Sequence, residues 1–242
     1  MDLYYTDHYE LPLPEGHRFP KDKYRLLREA LLPVSRFRFH PAPMASPERI
    51  ARVHDPGYVR SFCDGTLDAA AMRRIGFPWS QGLVERTLAS VGSTLSALEA
   101  ARASGFGGTL AGGTHHAFHA EGSGYCVFND IVVAIHAARE SGWVRRVAVI
   151  DLDVHQGDGT AAMCAGDEDV MTVSLHGRNN FPFHKQRSTI DVELDDGTGD
   201  AAYLARLDEV LAAAAAFAPE LVFYQSGVDA LASDKLGKLS LT

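Results

Sequence analysis

Several features are scarce in this 242-residue chain, and each scarcity removes a class of protein. Only three cysteines occur, Cys63, Cys126 and Cys164, and none forms a CxxC pair. So sparse and odd a count excludes a disulfide framework and predicts a reducing compartment, hence a cytoplasmic protein. No uninterrupted apolar run approaches the length of a membrane span, so no membrane association is expected. The opening stretch "MDLYYTDHYELPLPEGHRFP" lacks the apolar core of a secretory signal. Lysine and arginine never cluster beyond a pair, and 31 acidic residues outweigh 23 basic ones for a net charge of -8. A direct nucleic-acid surface would need a basic stripe, and none is present. Internal repeats and long linkers are missing too.

What remains is an ordinary globular composition, 46% hydrophobic and 22% charged, with eleven histidines. Helical periodicity marks "FPKDKYRLLREALL", with Tyr24, Leu27 and Leu31 on one face. Ser46 and Pro47 open a helix in "SPERIARVH", and "HDPGYVRSFCDG" reads as a turn and a short helix. A long helix ends at Gly105, another starts at Asn129 or Asp130 and stops at Gly142, and a third is ended by Pro219. Between them lie apolar runs of strand length: "GTLAGG", "VRRVAVIDLD", "DVMTVSLHG" and "ELVFYQSGVD". Strands alternating with helices predict an α/β fold with a mostly parallel sheet covered on both faces.

Each of those strands runs into polar chemistry. The first leads to His115 and His116, the second to Asp151, Asp153 and His155, the third to Ser174 and His176, the fourth to Asp229. In open parallel sheets, sites form at the carboxyl ends of strands. Asp151, Asp153 and His155 are spaced by two, which on a strand places them on one face. An Asp-x-His pair there suits a divalent metal such as zinc, and Asp229 is a third donor from the same sheet edge. Asp158, in a Gly-Asp-Gly turn, serves equally well as a cap for a helix over 159–165 or as a functional acid. Adjacent side chains in an extended segment diverge, so His115 and His116 need separate partners. Asp151 and Asp158 are available as carboxylates that would fix the imidazole tautomers and raise their basicity. His119 has no comparable argument and reads as structural or surface.

At these residues the sequence resembles the zinc-dependent histone deacetylase family. "GGTHHAFHAEGSGYCVFND", "VAVIDLDVHQGDGT", "VMTVSLHG" and "LVFYQSGVDALASDKLG" look like its blocks, in its order. "HGRNNFPF" and "LDDGTGDAAYLARL" look most like its class IV members and their bacterial relatives, the acetoin-utilisation type among them. The resemblance implies a three-layer arginase/deacetylase-like α/β fold with a central, mostly parallel sheet. It implies Zn2+ held by Asp153, His155 and Asp229. It pairs His115 with Asp151 and His116 with Asp158, with His116 as general base and His115 as electrostatic partner or acid. Gly124 and Tyr125 match one wall of an acyl tunnel and Phe181 the opposite wall. Asp151, Asp153, His155, Ser174 and Leu175 match a monovalent-cation site, commonly K+, and Lys23 aligns with the pocket below the zinc.

The implied reaction is removal of acetyl or longer acyl groups from protein lysine. Small acylated amines such as polyamines are the alternative substrate. The family's further oxyanion donor is a tyrosine in a glycine-rich loop well after the third ligand, and "KLGKLSLT" closes this sequence without it. The expectation is therefore a single deacetylase-like domain over 1–242, C-terminally truncated relative to the family. Loss of one oxyanion donor costs about 10²- to 10³-fold in rate, so a non-catalytic zinc- and acyl-binding protein is the third reading. An arginase-like two-metal hydrolase would need a second set of bridging carboxylates, and the sequence offers none.

Overall fold

Short polar residues and glycines punctuate the chain where the sequence places its helix ends. In a computed structural model that describes all 242 residues, Ser46, Asp55, Asp68 and Ser80 each accept a hydrogen bond from a backbone N–H in the first turn of the helix that follows. This satisfies donors that have no partner within the helix. Gly105 ends the longest helix in the left-handed conformation, at φ +84°. The chain divides into two compact units, residues 1–138 and 139–242.

The first unit comprises β1 (Asp2–Tyr5), α1 (Lys23–Leu31), β2 (Arg38–Pro41), α2 (Pro47–Ile50), α3 (Pro56–Cys63), α4 (Ala69–Ile75), α5 (Gln81–Ser104), β3 (Gly107–Thr109) and most of α6 (Asp130–Glu140). Its three strands form a parallel sheet in the order β2-β1-β3. The core gathers Ile50, Phe62, Ile75, Val91 and Phe128, with Phe128 edge-on to Phe62 at 5.3 Å between centroids. Edge-to-face rings gain from their opposed quadrupoles beyond the area they bury. On α1 only Tyr24 is buried; Leu27 is exposed, so the apolar face expected there is narrower than its spacing suggested. Strands β1 and β2 and helix α4 were not anticipated.

The second unit comprises β4 (Val147–Asp151), α7 (Asp158–Met163), β5 (Val170–Gly177), β6 (Ile190–Leu194), α8 (Asp200–Phe217) and β7 (Leu221–Gln225). Its sheet is wholly parallel, in the order β6-β5-β4-β7. Every residue of the two central strands is buried, which is why they read as unbroken apolar runs rather than as alternation. Val173 and Leu175 of β5 pack with Tyr203 and Val210 of α8 in one cluster. Register sets Asp151 beside Ser174 on one neighbour and beside Gln225 on the other. Edge strand β7 leaves Val222 and Tyr224 exposed. No helix is long and apolar enough to cross a membrane.

Candidate active site

In the second unit the chemistry starts where β4 ends. Only Asp151 belongs to the strand; Asp153 and His155 lie beyond it. Two successive side-chain turns replace the expected single strand face. Asp151 Oδ1 accepts from the Asp153 amide at 3.1 Å, and Asp153 Oδ1 accepts from the His155 amide at 2.9 Å. Aspartate favours this bond to the amide two residues on, which competes with strand extension. The turns bring His155 back towards Asp153, so its Nδ1 lies 2.9 Å from Asp153 Oδ1 and 3.0 Å from Asp229 Oδ2.

Asp229 arrives from the segment after β7, and its Oδ1 accepts from the Val154 amide at 2.9 Å. Glycine at two positions permits this approach. A Cβ on Gly227 would stand 2.4 Å from Asp153 Cα, and one on Gly237 would stand 1.8 Å from the Asp229 carbonyl oxygen. One donor atom from each of Asp153, His155 and Asp229 lies within 4.8 Å of the others. Burial pushes the His155 pKa down, but its hydrogen bonds to the Asp153 and Asp229 carboxylates outweigh it and carry the value up to about 9. One nitrogen facing two carboxylate oxygens in a partly buried pocket is a cation-seeking arrangement, and it matches the hard and borderline donors zinc takes.

The neighbours of this cluster are fixed in turn. Gln156, fully buried, donates to the Gln186 carbonyl and to Asp191 Oδ1, both at 2.7 Å, and accepts from the Gln186 amide at 2.8 Å. Nothing in the spacing of the motif marked Gln156 for this role. Ser174 Oγ lies 3.0 Å from His176 Nδ1, and Leu175 is buried between them in sequence. Phe181 presents its ring 6.5 Å from that of His155. Asp158 is buried as the first residue of α7, and its Oδ1 accepts from the Gly159 amide at 3.0 Å. The helix it opens is shorter than 159–165.

In the first unit the double-histidine segment follows β3. His115 and His116 are both buried, and their ring centroids are 4.1 Å apart at a 46° tilt. The expected divergence of neighbouring side chains is not seen because the chain turns here: the Ala117 amide donates to the Thr114 carbonyl at 3.3 Å. Gly124 and Tyr125 both have positive φ, +54° and +67°. Such a conformation strains an aromatic residue by about 1–3 kcal/mol, and the surroundings must hold it. The Tyr125 amide donates to the Ile75 carbonyl at 2.7 Å, and its ring packs against Phe19 and Phe77, each 5.1 Å away. Lys23 lies over the rings of Phe19 and Tyr24 at 5.1 and 5.2 Å. His119, read as structural or surface, is both: its ring is exposed and its Nδ1 lies 2.8 Å from the Val53 carbonyl.

Comparison with known proteins agrees with these motifs. Residues 17–242 match the histone deacetylase domain. The chain is 43% identical to an uncharacterised protein of Picosynechococcus, over 99% of this chain and 81% of that one. It is 34% identical to the histone deacetylase-like amidohydrolase of Pseudomonas aeruginosa, covering 95% of this chain and 65% of the relative. It is 31% identical to the acetoin utilization protein of Bacillus subtilis, covering 82% and 57%. The chain thus spans between about half and four-fifths of these relatives' lengths. The crystal structure of the HDA15 HD domain superposes over the whole chain and 78% of its own, with a TM-score of 0.80 at 22% identity, which supports the α/β fold. Motifs, domain match and fold together make this chain a member of the histone deacetylase family.

Proposed function

We propose that the chain is a zinc-dependent amidohydrolase that removes acyl groups from lysine side chains. The observation carrying the reading is the convergence of Asp153, His155 and Asp229, whose donor atoms lie within 4.8 Å. These three would hold the ion. Zinc supplies Lewis acidity to such a site when bound.

The protein's own groups account for the remaining work. His116 takes the role of general base, removing a proton at a ring nitrogen, and His115 that of electrostatic partner or acid. A carboxylate that orients an imidazole fixes its tautomer and raises its basicity, the part the motif gives to Asp151 and Asp158. Proton transfer by a positioned imidazole contributes about 10²- to 10⁴-fold. The motif gives Gly124 and Tyr125, and separately Phe181, to the acyl-lysine stem, and an aromatic ring suits a slender methylene chain. Asp151 and Ser174 stand side by side in register at the end of the sheet. With Leu175, Asp153 and His155 they form the group we assign to a monovalent cation, K+ in the cell. The acidic balance of the chain is compatible with a basic peptide or a cationic amine as substrate.

The test is hydrolysis of an acetyl-lysine peptide by the zinc-loaded protein beside its Asp153→Ala variant. Turnover by the first and none by the second supports the reading. Equal turnover by both, or none by a folded, zinc-loaded wild type on any acylated lysine or polyamine, overturns it.

A further inference from the structure

A fully buried histidine outside the site takes part in holding the double-histidine segment. His54 is 1% exposed and packs 5.4 Å from the ring of Phe128. Its Nε2 lies 2.9 Å from the Asn129 backbone N–H, so that nitrogen accepts and carries no proton. The proton therefore sits on Nδ1, which donates to the His119 carbonyl at 3.1 Å. A neutral imidazole in a single tautomer thus joins the entrance of α6 to the far end of the segment 114–119.

The surrounding bonds show what that junction secures. The His119 carbonyl also accepts from the Asp55 amide at 2.8 Å. Asn129 donates from Nδ2 to the Ala117 carbonyl at 3.3 Å and accepts at Oδ1 from the Val132 amide at 3.1 Å. Asp130 Oδ1 accepts from the amide and hydroxyl of Thr114, at 2.9 and 2.6 Å. Thr94 donates to the other oxygen of Asp130 at 2.5 Å. His115 and His116 therefore lie between two points, Thr114, tied to Asp130 at the start of α6, and Ala117, tied to Asn129 just before it. His54 fixes Asn129 and His119 to each other from the side.

We infer that His54 is a positioning residue, holding the His115–His116 segment to the start of α6 through its two ring nitrogens. The inference rests on the proposed acid–base role of His115 and His116. Imidazole suits the post because it offers one donor and one acceptor at opposite corners of a rigid apolar ring. Small misplacements of reacting groups cost up to about 100-fold in rate without altering what is bound.

The experiment uses the full chain as wild type, His54→Phe and His54→Gln. Phenylalanine keeps the shape and removes both bonds; glutamine can restore an acceptor for the Asn129 amide. Peptide-level hydrogen exchange in the metal-free protein, zinc affinity, and kcat and KM on an acetyl-lysine peptide are measured together. In His54→Phe, exchange across 112–120 and 127–133 should quicken about tenfold or more, while β4 and β5 keep their protection. Its kcat should fall about 10- to 100-fold with KM and zinc affinity within about twofold, and His54→Gln should recover part of both losses. Unchanged exchange in 112–120, or acceleration spread evenly over the first unit with no recovery by glutamine, overturns the inference. If His54→Phe does not fold, the same comparison is made on His54→Gln alone, where the remaining missing bond is the one to His119. A wild type without turnover would sink the proposed function, and the exchange measurement would still decide whether His54 holds the segment.

Discussion

The burial of His54 makes a quantitative forecast about pH. Desolvation lowers its pKa to about 4, against the bonds to the backbone around His119 that favour the charged ring. An unfolded histidine titrates near about 6.5, so the folded state binds fewer protons between those limits. Stability is whole above the unfolded value and is lost as pH falls through the window towards the folded value. The loss from this one group reaches about 2 kcal/mol at pH 5 and about 3 kcal/mol at pH 4. His54→Phe carries no such titration but leaves the Asn129 N–H without its acceptor, at a cost of about 1–3 kcal/mol at any pH. The His119 carbonyl keeps the Asp55 amide and adds little to that cost. Wild type should therefore exceed the variant by about 2 kcal/mol at pH 7.5, and the two should converge near pH 5. Urea unfolding in chelator measures the gap. A Trp143→Phe background leaves Trp79, whose Nε1–H donates to the Phe62 carbonyl at 2.8 Å, as the reporter of the first unit. Titrations common to both proteins cancel in the difference. A gap of equal size at pH 7.5 and pH 5 would refute the reasoning.

Other expectations follow from the same structure. Gly237→Ala should weaken zinc binding about tenfold or more, because the new methyl must push the Asp229 backbone away; isothermal titration of the ion reads this directly. Asp229→Ala should abolish stoichiometric zinc binding while far-UV circular dichroism stays unchanged. His116→Ala should keep zinc affinity and lose about 10²- to 10⁴-fold in kcat on an acetyl-lysine peptide. Phe62→Ala, at a site with no exposure, should destabilise the first unit by about 3–5 kcal/mol in urea unfolding.

Much of this architecture was legible because it follows from local chemistry. Ser46, Gly105, Asn129 and Pro219 mark helix ends through bonds or dihedral limits that act within a few residues. β4 and β5 showed themselves as apolar runs because both faces of each are covered. β1 and β2 escaped because "DLYY" and "RFHP" are short and partly polar, and they are strands only through pairing with each other and with β3. The three metal-type donors were legible as residue types after strands. Their geometry was not, since a period of two suggested one strand face where Asp151 and Asp153 instead wind the chain into turns. His54 sits in "VHDPGY", where the sequence speaks of a turn. Its partners are 65 and 75 positions away, beyond the reach of any local pattern.

The winding of 151–155 also decides how the donor set is assembled in time. Asp153 and His155 are drawn together by bonds spanning two residues, so that half of the set forms at little loop-closure cost. Asp229 joins it across 75 residues, counted from Val154, and closure of so long a loop is the entropically expensive part. An ion shared by all three would staple the edge strand β7 and its following segment to the end of β4. Any ligand of the native state alone shifts the folding equilibrium by mass action. The chelated form should accordingly fray first at the segment carrying Asp229, with the 151–155 turn the last of the donors to let go.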